Sequence, residues 1–350
     1  MPKKPGRRRG RRRKHPWADL PDQELLKQRL RDLHVSVAGT WLEERLHQLH
    51  RELDARDIRL HPHAWISDEW FSPNNTPGIA FPFYLAHPRL KRLERKMLLE
   101  VEGGTIPDCM RILRHEAGHV VQYTFGLHRR RRWQQLFGPS STRYPRYYRP
   151  NPASRNFVQH LRLWYAQSHP DEDFAETFAV WLSRTDWRRR YEGWPALKKL
   201  EYVDELMAEI SGVKPPRVRR FQVDPLSGIS RTLGEHYRRK LDHYSVEARK
   251  THDRELLRIF APEAGHRRAR PAAAFIRHNR AKIRRLVSKW TGEYQLTLDA
   301  VIDEMVARCQ QLNLRAVGSE RQMRLDLTVL LTARTVQSLH SRSRRQWIAL

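Results

Sequence analysis

The feature that most constrains this chain is the stretch 114–119, Arg-His-Glu-Ala-Gly-His, because it contains the spacing His-Glu-x-x-His. Residues four apart share one face of a helix, so His115 and His119 would point two imidazoles at one spot, with Glu116 beside them. Zn²⁺ accepts imidazole nitrogen, prefers four tetrahedral ligands and keeps one position for water in catalytic sites. The spacing therefore favours a zinc site, which the chain can complete only with a ligand from elsewhere.

The residues around this motif predict a helix. Thr105 is expected as its N-cap, Asp108 completes a capping box, and Pro107 suits the first turn. Apolar residues at helical spacing give the helix a buried side, and Gly126 is expected to end it. The alternative interpretation is a surface helix with two solvated histidines, which a second motif downstream makes weaker.

The third ligand can come from a histidine or from a carboxylate. The metzincin pattern requires a histidine six residues beyond His119, where this chain has Phe125. His128 and His160 remain candidates, but they have no characteristic spacing. A carboxylate further along the chain has a clearer local context.

That carboxylate lies on a second predicted helix, 168–182, with Ser168 and Asp171 expected as its capping pair. Glu172 and Glu176 share one face, where two like charges weaken a bare helix by a few tenths of a kcal/mol. A metal would compensate for them. We expect Glu172 to bind zinc and Glu176 to hydrogen-bond a ligand histidine. An acidic first turn favoured by the helix dipole is the alternative, and it explains Glu176 less well.

Together, His115-Glu116-x-x-His119 and Glu172-x-x-x-Glu176 resemble the gluzincin branch of zinc metallopeptidases. The phrase Glu-Asp-Phe-Ala-Glu-Thr-Phe-Ala resembles bacterial putative zinc-binding metallopeptidases in particular. The resemblance implies that Zn²⁺ is held by His115, His119 and Glu172. It also implies that Glu116 is the general base and that Glu176, in place of the aspartate of the thermolysin pattern, supports a ligand histidine.

The resemblance covers residues 75–185 and implies peptide-bond hydrolysis on a peptide or protein substrate. In gluzincins of the anthrax-lethal-factor type, a tyrosine seven residues before the ligand glutamate helps to stabilise the oxyanion, and Tyr165 occupies that position before Glu172. A half-buried structural tyrosine is the alternative for Tyr165. Tyr147 and Tyr148 are weaker candidates for the same role.

A turn rich in proline and asparagine, 72–78, separates two predicted strands, 63–71 and 79–86. Pro82 makes the second an edge strand, since proline cannot donate to a central ladder. The gluzincin resemblance implies that a strand ahead of the zinc helix pairs with extended substrate. The residues expected to bind substrate are Ile79, Ala80 and Phe81. A plain sheet edge protected by its proline is the alternative.

The charge of the chain is strongly positive. The first fourteen residues hold nine Lys or Arg and no acid, so we expect a disordered basic tail, 1–18. Removing those nine charges from the formal net charge of +28 leaves +19, so the basicity is global. The tail favours non-specific contact with polyanions, and a purely solubilising tail is the alternative.

No apolar run is long enough for a signal peptide or a membrane span, and Cys109 and Cys309 offer no disulfide framework. We therefore expect a cytoplasmic protein without a membrane partner, and its oligomeric state stays open. The predicted class is a mainly helical α+β fold: a zincin-like catalytic domain with a small edge-exposed β-sheet, followed by a helical C-terminal region. The predicted boundaries are 19–214 for the catalytic domain, 215–230 for a linker and 231–350 for the helical region.

The last region has helices predicted near 232–250, 252–260, 272–290, 297–312 and 319–340. The third of them carries six Lys or Arg on its expected polar face. Two other function classes therefore remain beside the peptidase. One is a basic nucleic-acid-associated protein with a structural zinc site, and the other is an inactive zincin that serves as a scaffold.

Overall fold

The computed structural model describes residues 15–145, 147–216, 219–244, 253–340 and 346–347. Its α-helices are α1 (Asp22–Leu25), α2 (Trp41–Asp54), α3 (Pro88–Leu98), α4 (Ile106–Thr124), α5 (Arg131–Phe137), α6 (Pro170–Ser183), α7 (Trp187–Arg190), α8 (Leu197–Ile210), α9 (Leu233–Tyr244), α10 (Asp253–Ile259), α11 (Ala272–Thr291), α12 (Gln295–Gln311) and α13 (Glu320–His340). Its strands are β1 (His63–Ser67), β2 (Gly78–Pro82), β3 (Tyr147–Tyr148), β4 (Ala261–Pro262), β5 (Leu314–Arg315) and β6 (Gln346–Trp347). The 3-10 turns are Pro16–Asp19, Leu30–Leu33, Phe83–Leu85, Leu127–Arg129, Arg162–Gln167 and Leu226–Gly228.

The mainly helical α+β class expected from the sequence is confirmed. Strands β1 and β2 form a small parallel sheet in which Ala64 pairs with Ile79. The second strand ends at Pro82, and the chain continues as a 3-10 turn. Proline has no N–H to donate to the sheet, and the last position of a strand tolerates this. This strand is therefore shorter than the predicted 79–86. Its Ala80 also donates its N–H to the carbonyl of Phe71 at 2.9 Å, so a second segment pairs with it.

A large hydrophobic cluster surrounds α4 and α6, which pack side by side. The two helices approach closely because α4 has Gly118 at the contact. A Cβ atom at this position would lie 2.8 Å from the Cα of Ala175 in α6. Any larger residue would push the two helices apart. Gly118 of the His-Glu-Ala-Gly-His stretch therefore serves the packing of α4 against α6.

A second hydrophobic cluster is built from α10 to α13. Leu233 and Tyr237 of α9 belong to the first cluster, and Leu296 of α12 packs against the first cluster as well. The boundaries 19–214, 215–230 and 231–350 stay predictions. The predicted C-terminal helices are observed near their expected positions, except that part of 232–250 lies outside the described residues.

Most of the predicted tail, 1–18, also lies outside the described residues. Residues 15–18 are described, and Trp17 among them is buried in the first cluster. Throughout the part of the chain that is described, no helix is long and apolar enough to cross a membrane.

Candidate metal centre

Helix α4 begins at the predicted N-cap, Thr105, but the predicted capping box is only half formed, because the Asp108 carboxylate accepts the N–H of Gly103 at 2.9 Å and not that of Thr105. The Thr105 hydroxyl oxygen accepts the N–H of Asp108 at 3.3 Å, with proline in the first turn, and Gly126 adopts a positive φ of 62° just past the end. The helix carries His115, Glu116 and His119 into the interior, where all three side chains are buried. The alternative of two solvated histidines on a surface helix is therefore wrong.

Helix α6 has a different cap from the predicted one. Its N-cap is His169, whose Nδ1 accepts the N–H of Asp171 at 3.1 Å. The hydroxyl of Ser168, the predicted cap, instead donates to the carbonyl of Tyr165 at 2.7 Å. An imidazole nitrogen can replace a hydroxyl oxygen as the capping acceptor, so the helix starts one residue later than expected.

Helices α4 and α6 bring together two imidazoles and one carboxylate. Oε2 of Glu172 lies 2.9 Å from Nε2 of His115 and 3.3 Å from Nε2 of His119, and the two Nε2 atoms are 3.2 Å apart. Zinc bonds of about 2.0–2.1 Å to such ligands place neighbouring ligand atoms about 3.3 Å apart in a tetrahedron. The three residues therefore fit a zinc ion in both chemistry and spacing.

Glu176 holds the first of these histidines from behind. Its Oε1 lies 3.0 Å from Nδ1 of His115, and its Oε2 accepts the backbone N–H of Leu161 at 2.8 Å. This contact turns Nε2 of His115 toward Glu172. Burial alone would lower the pKa of His115, but the two glutamates outweigh burial and raise that pKa well above its usual value. The pocket is thus arranged to hold positive charge.

Glu116 is also buried, but it is not engaged in the cluster. Among the described residues its Oε2 has no hydrogen-bond partner, although this oxygen is buried and the residue as a whole is only 7% exposed. The backbone carbonyl of Glu116 accepts the hydroxyl of Ser72 at 3.2 Å, which fixes the backbone here. A buried carboxylate oxygen without a hydrogen-bond partner lowers the stability of the fold. The position of the Glu116 oxygen beside two imidazoles therefore fits an oxygen that pairs with a bound ligand.

Tyr165 lies above the cluster, with its ring centroid 5.7 Å from that of His115. Leu163 and Trp164, immediately before it, both adopt left-handed conformations with φ of 58° and 55°. Two such residues in succession are strained, and strain of this kind is concentrated at functional sites. Burial and the nearby Glu172 raise the pKa of Tyr165 well above its usual value, so its hydroxyl keeps its proton.

The weaker tyrosine candidates differ from Tyr165. The Tyr148 hydroxyl donates to the carbonyl of Leu163 at 2.9 Å, and the side chain of Tyr147 lies outside the described residues.

His160, a candidate third ligand, has its Nε2 2.9 Å from the carbonyl of Arg111 and is not part of the cluster of His115, His119 and Glu172.

Sequence reasoning missed Tyr144. Its hydroxyl donates to Oε1 of Glu172 at 2.9 Å, and its ring stacks on that of His169, with centroids 3.7 Å apart. His169 is itself held by the carbonyl of Thr142 at 2.7 Å. No spacing rule connects Tyr144 to Glu172, and its place in a run rich in arginine, proline and tyrosine gave no sign of this contact.

A cavity of about 290 Å³ lies against the cluster. Besides the motif residues and Tyr144 and Tyr165, its walls include Trp70, Phe71 and Ser72. The predicted substrate-binding residues are Ile79, Ala80 and Phe81; they are fully buried and are not among the described residues that line the cavity. Their role stays a prediction.

Comparison with known proteins adds one match. No curated protein and no solved structure matches the chain. Residues 109–195, which include His115, His119 and Glu172, match the model of the family described as putative zinc-binding metallo-peptidase. The resemblance of this stretch to putative zinc-binding metallopeptidases, stated from its sequence, is thereby confirmed.

Proposed function

We propose that this protein is a zinc-dependent metallopeptidase of the gluzincin type that hydrolyses peptide bonds. The observation that carries the proposal is the placement of two imidazole nitrogens and one carboxylate oxygen 2.9–3.3 Å apart at the wall of a cavity. Glu116, a buried carboxylate with one unpaired oxygen, lies on the same helix face and lines the same cavity.

In this proposal His115, His119 and Glu172 hold the zinc ion. When bound, zinc supplies a Lewis acid and lowers the pKa of a water molecule to about 7. Glu176 keeps the ring of His115 in the orientation that presents Nε2, because its carboxylate occupies Nδ1. The matching stretch 109–195 and its family description support this ligand set.

Glu116 is proposed as the general base. Its unpaired Oε2 would take a proton from the attacking water, and the same carboxyl group would return that proton to the leaving amine. Tyr165 is proposed to donate its hydroxyl hydrogen to the oxyanion of the tetrahedral transition state. Its place supports this role, because Tyr165 lines the same cavity as the three proposed ligands and its ring centroid lies 5.7 Å from that of His115.

The substrate is proposed to be an extended peptide or protein segment. We expect it to run beside Trp70, Phe71 and Ser72, because these residues line the cavity and are tied to the sheet by the pairing of Phe71 with Ala80. The cytoplasmic location stays part of the proposal, supported by Cys109 and Cys309, which are both buried and free of disulfides.

The proposal is tested by peptide hydrolysis with zinc-loaded wild type and the Glu116→Gln variant. Loss of the general base should lower kcat about 10²–10⁴-fold while the zinc content stays unchanged. Glu100→Gln is a matched control, because Glu100 lines the same cavity but is paired with Arg162 at 3.2 Å. Equal activity of wild type and Glu116→Gln would overturn the mechanism. If wild type and both variants bind zinc but none of them hydrolyses a peptide, the result would favour the inactive scaffold.

A further inference from the structure

Helix α11 divides its positive charges into two sets. It carries six Lys or Arg and no acid. Arg280 reaches Asp303 at 2.6 Å and also contacts Asp299, which Arg284 contacts as well. These two arginines therefore serve the packing of α11 against α12.

The other four cations face outward. We call them the basic face of α11: Arg277, Lys282, Arg285 and Lys289. All four are exposed, and among the described residues no carboxylate lies within 4.0 Å of their charged atoms. They extend over thirteen residues, 277–289, which is about 18 Å of helix length. Like charges at such spacing repel one another, and a polyanion would remove that cost.

A large aromatic side chain borders the basic face. Trp290 is 75% exposed, and the Lys289 ammonium lies 5.6 Å from the centroid of its ring. Leu286, one turn earlier, is 46% exposed. Exposed aromatic rings beside cations are the elements with which proteins bind single strands, because an unpaired base can stack on the ring while phosphates contact the cations.

An anionic membrane surface is the competing partner for a basic helix. Helices that bind membranes do so by inserting their apolar face into the lipid. The apolar face of α11 is not available for this, because Phe275, Ile276, Ile283 and Val287 are buried in the second hydrophobic cluster. Apart from His278 and Ala281, the exposed residues of α11 are the four cations, Leu286 and Trp290, and this arrangement favours nucleic acid.

We propose that the basic face of α11 binds single-stranded nucleic acid, with phosphates along its four cations and an unpaired base on Trp290. The proposal does not depend on the peptidase activity, since none of these residues lines the cavity or contacts the candidate metal ligands. It assigns a binding role to the C-terminal helical region.

The test is fluorescence anisotropy of a labelled oligothymidylate with the full-length protein over a series of salt concentrations. One variant replaces the basic face by glutamine: Arg277→Gln, Lys282→Gln, Arg285→Gln and Lys289→Gln. The control removes the same charge from exposed positions on α3, α7 and α8: Arg92→Gln, Arg95→Gln, Arg189→Gln and Lys198→Gln. Both variants keep the basic N-terminal residues, so their difference isolates the helix face.

The basic-face variant should show a slope of log affinity against log salt that is shallower by about three, since each lost phosphate contact contributes about 0.7 on single strands. The control should keep a slope close to that of wild type. Equal weakening of the two variants would overturn the proposal in favour of a general charge effect. Circular dichroism establishes that both variants are folded.

Trp290→Ala separates base stacking from phosphate contact. We expect about tenfold weaker binding of oligothymidylate and unchanged binding of duplex DNA of the same length. No loss on oligothymidylate would overturn the stacking role. If the basic-face variant keeps oligonucleotide binding but loses binding to phosphatidylglycerol vesicles, the partner is a membrane and the proposal is wrong.

Discussion

Tyr144 donates its hydroxyl hydrogen to Oε1 of Glu172 at 2.9 Å, and this leaves Oε2 of the same carboxylate facing His115 at 2.9 Å. The Tyr144 ring also stacks on His169, which is the N-cap of the helix that carries Glu172. The orientation of the proposed ligand is thus fixed both by its own helix and by the preceding loop. Such outer contacts commonly decide how tightly a metal site binds.

Replacing Tyr144 by phenylalanine should weaken zinc binding about tenfold, because Glu172 would be free to turn Oε2 away from the histidines. Competition with a chromophoric chelator measures the zinc dissociation constant. Tyr123→Phe is the matched control, since its hydroxyl donates to Asp171 at 2.7 Å, a neighbouring carboxylate outside the ligand set. Equal zinc affinities of Tyr144→Phe and wild type would show that the contact does not position the ligand.

Gly118→Ala should lower the free energy of unfolding by about 1–2 kcal/mol, because the added methyl group meets the backbone of Ala175 at 2.8 Å. The better helix propensity of alanine, about 1 kcal/mol, offsets only part of this cost. Urea unfolding measures the difference. Gly228→Ala is the control, since a Cβ there would meet no atom within 4 Å. If Gly118→Ala proves as stable as wild type, the close approach of α4 and α6 does not require glycine.

Much of the site could be predicted because its residues repeat at helical spacing. His115 and His119 are four apart, as are Glu172 and Glu176, and the Thr105 cap fixes the start of α4. Local sequence rules are enough for such features, since each depends only on the geometry of one helix. The mainly helical class followed from the same periodicity.

The remaining features depend on contacts between distant segments. The Tyr144 contact joins a loop to a helix 28 residues away. Phe71 pairs with Ala80 of β2 across the turn that separates them, and Trp70, Phe71 and Ser72 line the cavity, whereas Ile79, Ala80 and Phe81 are not among its described lining residues. The capping role of His169 was missed because histidine is a less common N-cap than serine.

Tyr165→Phe should lower kcat about 100-fold with little change in KM, because the proposed hydrogen bond forms only with the oxyanion of the transition state. Steady-state peptide hydrolysis by the zinc-loaded protein measures both constants. Tyr148→Phe is the control, because the Tyr148 hydroxyl donates to the carbonyl of Leu163. This variant should have a smaller effect on kcat. A parallel loss in both variants would indicate a structural role for Tyr165.

We expect the free energy of unfolding to depend on pH through Glu94, which lies outside the metal centre. The side chain is 2% exposed, and burial raises its pKa from 4.5 to about 7, although Lys240 lies 3.7 Å away. Between these two values the folded protein holds a proton that the unfolded chain releases, so stability falls as the pH rises through this window. Lys240 is also paired with Glu69 at 2.8 Å, so it keeps a partner when Glu94 is changed.

Glu94→Gln should therefore raise the free energy of unfolding by about 3 kcal/mol near pH 8 and change it little near pH 4.5. Urea unfolding at a series of pH values measures this effect. Glu201→Gln, at an exposed position on α8, should follow the wild-type curve throughout. Parallel curves for Glu94→Gln and wild type would mean that Glu94 is ionised in the folded protein across this range.

The most direct test of the central claim is the zinc content of the purified protein by elemental analysis, with wild type, Glu172→Ala and His160→Ala compared after reconstitution with zinc. His160 is the matched control, because it is a half-buried histidine near the site whose Nε2 is occupied by the carbonyl of Arg111. We predict about one zinc ion per chain in wild type and in His160→Ala, and a large loss in Glu172→Ala. Zinc retained by Glu172→Ala, or absent from wild type, would contradict the assignment of His115, His119 and Glu172 as the metal site.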